Sequence, residues 1–196
     1  MKIILYCINF APDYLGSAKY NFELAEALAE KGHELHVITS YPYYPEWKNK
    51  EANSLYKYKE EQGKNIRITR CPIYIPSKVN FITRIVHLCS FSLSSFPILM
   101  ASQIQKRSDW IVIILPTIFS LPFASLAKFL FRSKLWIQVH DFELSGAMGS
   151  KIFTSSFVFN FLRNFEKLLF KAATVVSALT PQMLAKLSDI GVPSKN

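Results

Sequence analysis

The chain has 196 residues, half of them apolar and 14% aromatic. That composition excludes a disordered segment, and a chain of this length buries roughly 70% of its unfolded surface, enough to fold without disulfides or metals. A net charge of +9, from 23 basic and 14 acidic residues, suits an anionic partner: nucleic acid, acidic lipid head groups or a phosphate-bearing substrate.

Lys2 to Asn9 (KIILYCIN) is an apolar run of strand length. It is too short for a signal peptide and has no cleavage pattern. Phe10 to Ala18 (FAPDYLGSA) holds a proline and a glycine and is a loop. From Lys19, residues Phe22, Leu24, Ala25, Ala27 and Leu28 fall on a helical repeat. Lys31-Gly32-His33 stops it, with glycine at the usual left-handed cap. Glu34 to Ser40 (ELHVITS) is the second strand, so the chain opens with a βαβ unit. In such sheets ligands sit beyond the carboxyl ends of the strands, which makes the loop around Gly16 the first candidate site.

Residues 41–64 are polar, aromatic and rich in turn formers, which predicts a long loop with one helical turn near Ala52–Tyr58; such loops are usually functional or mobile. Ile66 to Cys71 alternates apolar and charged residues, a half-buried strand. Phe81 to Gln105 is a helix, with Ile82, Val86, Cys89, Leu93, Phe96, Met100 and Ile104 at spacings of three and four. Pro97 should kink or split it. Its opposite face carries Arg84, His87 and several serines. Trp110 to Leu115 (WIVIIL) fits the middle of a parallel sheet covered on both faces. Pro116-Thr117 ends it, and a helix over Ile118–Phe131 follows. Trp110 to Phe131 is also 22 residues with one charge, Lys128, the length of a membrane span. Two prolines and the β-branched run favour strand-turn-helix instead. Lys134 to Val139 is the next strand, with His140-Asp141 at its carboxyl end. Phe142 to Lys151 is a loop, Phe153 to Lys171 an aromatic helix, and Thr174 to Ala178 the last strand. Thr180-Pro181 opens a final helix, closed by Gly191 and Pro193. Six strands alternate with about as many helices. The fold class is therefore α/β, a Rossmann-like doubly wound parallel sheet forming one domain over residues 1–196.

Four constellations carry possible chemistry. Gly16 is the lone glycine of its loop, so a three-glycine dinucleotide fingerprint is absent. A helix N-terminus with Ser17 and Lys19 can still receive a phosphate, and a plain turn explains the same spacing. His140 can hydrogen-bond a sugar hydroxyl or polarise a leaving group, and Asp141 can orient a ligand; capping the next loop is the simpler alternative. The aromatic loop Tyr41–Trp47 can stack on sugar rings or pack as its own lid. Helices 81–105 and 153–171, flanked by Arg84, Lys106, Arg107, Lys151, Arg163 and Lys167, match a helix lying on an anionic bilayer, or equally core helices. Cys7, Cys71 and Cys89 are odd in number and far apart, which fits buried free thiols. No metal-ligand spacing is present, and the basic residues are scattered rather than striped, which argues against nucleic acid.

The opening KIILYCINFAPDYLGSAKYNFELAEALAEKGHELHVIT, with YPYYPEW and RITRCPIYIP further on, resembles the amino-terminal domain of family 4 glycosyltransferases of the GT-B type. The likeness is to a branch involved in colanic acid synthesis. The resemblance implies retaining, metal-independent and cofactor-free transfer from a nucleotide-sugar donor. The acceptor would be a polyprenyl-diphosphate-linked saccharide at the inner face of the cell membrane, where the protein would sit peripherally. It implies that Gly16, with Ser17 and Lys19, meets the donor phosphate. His140 would be the catalytic histidine near the donor sugar. Tyr43, Tyr44, Glu46, Trp47, Thr117 and Asp141 would face the acceptor. The relatives tend to carry a second glycine where Ala18 stands, which implies a tighter phosphate loop. They also carry a second Rossmann domain beyond the equivalent of Asn196. The chain is thus expected to be the acceptor-binding half and inactive alone, with a subunit of a split two-chain enzyme or a non-catalytic membrane-surface module as alternatives.

Overall fold

The computed structural model describes residues 1–51, 56–140, 164 and 167–189. Its elements are β1 (Lys2–Tyr6), α1 (Ser17–Glu30), β2 (Glu34–Ser40), β3 (Lys59–Gln62), β4 (Ile66–Cys71), α2 (Phe81–Gln105), β5 (Trp110–Leu115), α3 (Leu121–Phe131), β6 (Lys134–Val139), β7 (Val175–Ala178) and α4 (Pro181–Asp189). A short 3₁₀ turn over Ile118–Ser120 leads into α3. The sheet has seven strands in the order β3-β4-β2-β1-β5-β6-β7. All its neighbours are parallel except β3, which runs antiparallel to β4. Without that edge, this is the strand order of a doubly wound nucleotide-binding sheet.

The strands are apolar throughout because both faces are covered. On β1, Ile4 and Tyr6 face one core, with Ile38, Ile111, Ile113, Leu135 and Ile137 and the helices α2 and α3. Ile3, Leu5 and Cys7 face the other, with Val37, Val112 and Ala25 of α1. The cap expected at Gly32 is present. Gly32 has φ +79°, its N–H donates to the Ala29 carbonyl at 2.9 Å, and the His33 N–H donates to the Leu28 carbonyl at 3.1 Å, the paired bonds of a Schellman motif.

Three features depart from the sequence reading. First, the long loop is interrupted by β3, whose sequence KEEQ has no apolar residue to reveal it. It is a strand through its partner alone, zipped to β4 by Arg67–Glu60 at 2.6 Å and Arg70–Glu61 at 2.7 Å. The helical turn near 52–58 falls largely outside the described residues, as do most of the helix expected over 153–171 and the loop before it. Second, α2 runs unbroken through Pro97. The carbonyl that Pro97 cannot bond is that of Leu93, on the exposed side of the helix. As expected, Trp110 to Phe131 is strand, turn and helix rather than one span.

Third, α2 is turned over relative to its apolar pattern. Ile82, Val86, Leu93 and Ile104 of the apolar stripe are exposed, whereas His87, Ser92, Ser95 and Gln103 are buried with Leu88, Phe91 and Leu99. Hydroxyls hold this face down: Tyr6 and Ser95 are bonded at 2.5 Å, and Ser92 and Ser120 at 2.8 Å. Burial raises the Tyr6 phenol to about 12, so it stays a neutral hydrogen-bonding group. All three cysteines are free, with Cys7 and Cys71 buried. Burial pushes both of these thiols up to about 12, and neither is a nucleophile.

Candidate functional site

The order of the sheet reverses between β1 and β5, and a cleft of about 440 Å³ lies at their carboxyl ends. It is lined by six residues singled out from the sequence, Gly16, Ser17, Tyr43, Tyr44, Trp47 and His140. Each arrives on the loop or turn that follows a parallel strand. Asn9, Tyr20, Arg84 and His87 also line it, and sequence reasoning assigned none of them to the site. The signal for Arg84 and His87 was present: they sit three residues apart on the polar side of α2, where His87 is buried and Arg84 stays exposed at the cleft.

Gly16 adopts φ +61°, ψ −137° as the N-cap of α1, a conformation that favours glycine. A Cβ there would meet nothing within 4 Å, so glycine is required by the backbone and not by space. No side chain caps this helix end, and its first turn has no acidic residue. Its N–H groups and dipole are therefore open to an anion. Ala18 is fully buried in the first turn of α1.

The aromatic wall is pinned from below. Asp13 is 4% exposed. Its Oδ2 accepts the backbone N–H groups of Tyr43 and Tyr44, both at 3.2 Å, and its Oδ1 accepts Lys50 Nζ at 3.1 Å. The carboxylate thus fastens the loop after β2 to the loop after β1. Tyr43, Trp47 and His87 form a ring cluster, with centroids 5.3 Å apart for Tyr43–Trp47, 4.7 Å for Tyr43–His87 and 5.1 Å for Trp47–His87. His140 is half-buried, and neither ring nitrogen has a partner among the described residues. Burial lowers its pKa below the usual histidine value. The ring is neutral near pH 7 and offers one N–H donor and one lone pair.

The other candidates lie elsewhere. Lys19 is exposed and faces Glu23 at 3.8 Å. Glu46 is exposed and paired with Lys50 at 2.9 Å, a bond that lowers its carboxyl pKa. Thr117 is buried, and its hydroxyl donates to the Ile114 carbonyl at 2.7 Å. It closes the turn after β5 and presents no polar group to the cleft. Asp141 lies outside the described residues.

Two solved structures share the fold at 15% identity. Sucrose-phosphate synthase from Thermosynechococcus elongatus superposes with a TM-score of 0.60 over 96% of this chain and 45% of its own. The catalytic domain of starch synthase IV from Arabidopsis thaliana, bound to ADP and acarbose, gives 0.53 over 73% of this chain and 34% of its own. The Escherichia coli K12 protein WcaI, named as a colanic acid biosynthesis glycosyl transferase, is 35% identical over 199 residues, a match covering all of this chain and 48% of the relative. The chain therefore spans about half the length of this curated relative. The family model described as a glycosyl transferase 4-like domain matches residues 16–196; with its Rossmann-like sheet of the GT-B type, the chain belongs to that glycosyltransferase family.

Proposed function

We propose that residues 1–196 form the acceptor-side domain of a retaining, metal-independent glycosyltransferase. It passes a sugar from a nucleotide-sugar donor to a polyprenyl-diphosphate-linked saccharide in surface polysaccharide assembly. The observation that carries this reading is the cleft, where an uncapped helix N-terminus, a neutral histidine without a partner among the described residues and an aromatic wall converge. Gly16 and Ser17 receive the donor phosphate, whose charge suits the helix end. His140 meets the donor sugar, giving its N–H to a hydroxyl or carbonyl oxygen, while Tyr43, Tyr44 and Trp47 present ring faces to the acceptor. The second wall comes from the remainder of a longer polypeptide, as the half-length match to WcaI supports, or from a partner chain. The test is incorporation of labelled sugar into extractable polyprenyl-linked saccharide by host membranes lacking this chain. Adding back the wild-type gene should restore incorporation and His140→Ala should not. Equal incorporation with the wild type and His140→Ala would refute the catalytic reading and favour a non-catalytic module.

The same reading puts the protein on the inner face of the cell membrane. In its support, α2 shows Ile82 at 71% and Ile104 at 73% exposure, and the neighbouring α3 shows Phe129 at 81%. Lys106, Arg107, Arg132 and Lys134 are exposed near the ends of these helices. By length and composition α2 passes as a membrane span, but its hydroxyl face is bonded to the sheet, which suits a helix lying on a bilayer. Flotation should recover the chain with vesicles holding 30 mol% phosphatidylglycerol, and Ile82→Asp with Phe129→Asp should abolish it. If the doubly substituted chain floats as well as the wild type, this face is not the membrane contact.

A further inference from the structure

His87 is 1% exposed yet lines the cleft. Its Nδ1–H donates to the Tyr74 carbonyl at 2.5 Å, and its Nε2 is buried with no hydrogen-bond partner among the described residues. Desolvation lowers its pKa to about 4; the Tyr74 bond opposes that shift and the Arg84 charge adds to it. The ring therefore carries one proton near pH 7. The Tyr74 carbonyl takes that proton, so Nε2 is an acceptor only. A buried acceptor left unpaired is costly and calls for a partner. The nearest walls are the rings of Tyr43 and Trp47, surfaces that suit the C–H face of a sugar.

We propose that His87 reads the acceptor saccharide, its Nε2 taking a hydrogen bond from one hydroxyl of the sugar ring that packs against Tyr43 and Trp47. This rests on the sugar-transfer reading of the cleft and adds a specificity determinant to it. A hydroxyl supplies the proton that Nε2 lacks, whereas a carbonyl or carboxylate oxygen in its place meets a lone pair. The residue so selects for a hydroxyl at one ring position and against oxidised or deoxy sugars there.

The chain has four histidines, so side-chain nitrogen NMR of ¹⁵N-histidine-labelled protein resolves each ring. His87→Asn assigns the His87 signals and keeps a donor for the Tyr74 carbonyl, which preserves the fold. The probes are the methyl glycosides of glucose, galactose and mannose, with tryptophan fluorescence, checked against Trp47→Phe, reporting occupancy. The expected result is saturable binding by at least one glycoside, with the Nε2 resonance of His87 displaced and the Nδ1–H tautomer retained. Binding to His87→Asn should be roughly three- to tenfold weaker, the worth of one neutral hydrogen bond. Saturable binding that leaves Nε2 unmoved overturns the role of His87 and leaves the sugar cleft standing. Failure of all three glycosides to bind overturns both.

Discussion

Replacing Arg70 with alanine is expected to cost about 3 kcal/mol of folding stability, near the low end for breaking a buried ion pair. The Arg70 side chain is 3% exposed. Its Nε and Nη2 donate to the two Glu61 carboxylate oxygens at 2.7 and 3.0 Å, and Nη2 also donates to the Ala11 carbonyl at 2.7 Å. Alanine leaves that carbonyl unpaired and takes the closest partner from the carboxylate, which keeps Lys59 at 3.4 Å. Glu61 is 33% exposed, so water screens part of the loss. At about 2–4 °C per kcal/mol for a chain of this size, the melting temperature should fall by about 6–12 °C. The pH dependence follows from Glu61, whose carboxyl pKa is lowered chiefly by the Arg70 hydrogen bond. A depressed folded-state pKa gives stability that is present above the unfolded value and is lost as pH falls through the folded one. The gap between wild type and Arg70→Ala should therefore be full at pH 7 and narrow in acid. Urea unfolding at pH 7 and pH 4 measures both quantities; a loss under 1 kcal/mol at pH 7 would show that this pair does not hold the β3 edge.

Asp13→Ala should act on the site as well as on the fold. It strips the partner from two backbone N–H groups, those of Tyr43 and Tyr44, in a setting where Tyr43 is 4% exposed. Each unsatisfied buried donor costs about 1–3 kcal/mol, so the combined loss should be about 2–6 kcal/mol. It also cuts the tie between the aromatic wall and the loop that ends at Gly16. A displacement of about 1 Å in such a wall can cost about a hundredfold in rate. In the membrane incorporation assay, run below its melting point, Asp13→Ala should lose about two orders of magnitude. Asp13→Asn, which keeps an acceptor oxygen, should fall between it and the wild type. Wild-type incorporation by folded Asp13→Ala would mean that the wall holds its place without the carboxylate.

The layout of the sheet was legible because its strands are short apolar runs separated by loops and helices, and a parallel sheet under two helical layers demands that pattern. The lining of the cleft followed from the same logic: Gly16, Tyr43, Tyr44, Trp47 and His140 all come just after strands. Position does not fix side-chain direction, however. Thr117 also follows a strand, but its hydroxyl turns back to the Ile114 carbonyl. The edge strand β3 was hidden because charge pairing, not apolarity, makes it a strand. The largest gap concerned α2. Periodicity locates an apolar stripe without saying what it faces, and here the inward face is held by hydroxyls whose partners, Tyr6 and Ser120, are remote in sequence. Arg84 and His87 were missed for that reason.

The hydroxyl contacts under α2 have a consequence for how substrate preference could drift. The Tyr6–Ser95 and Ser92–Ser120 bonds fix the azimuth of a 25-residue cylinder, and that single angle aims both its cleft-lining and its outward residues. Greasy packing alone would tolerate a small roll, since apolar contacts have no direction. Two directional bonds act like a key in a shaft. A change at Ser92 or Ser95, neither of which lines the cleft, would re-aim Arg84 and His87 together, so under the role proposed for His87 the dial for sugar choice lies partly in serines outside the cleft.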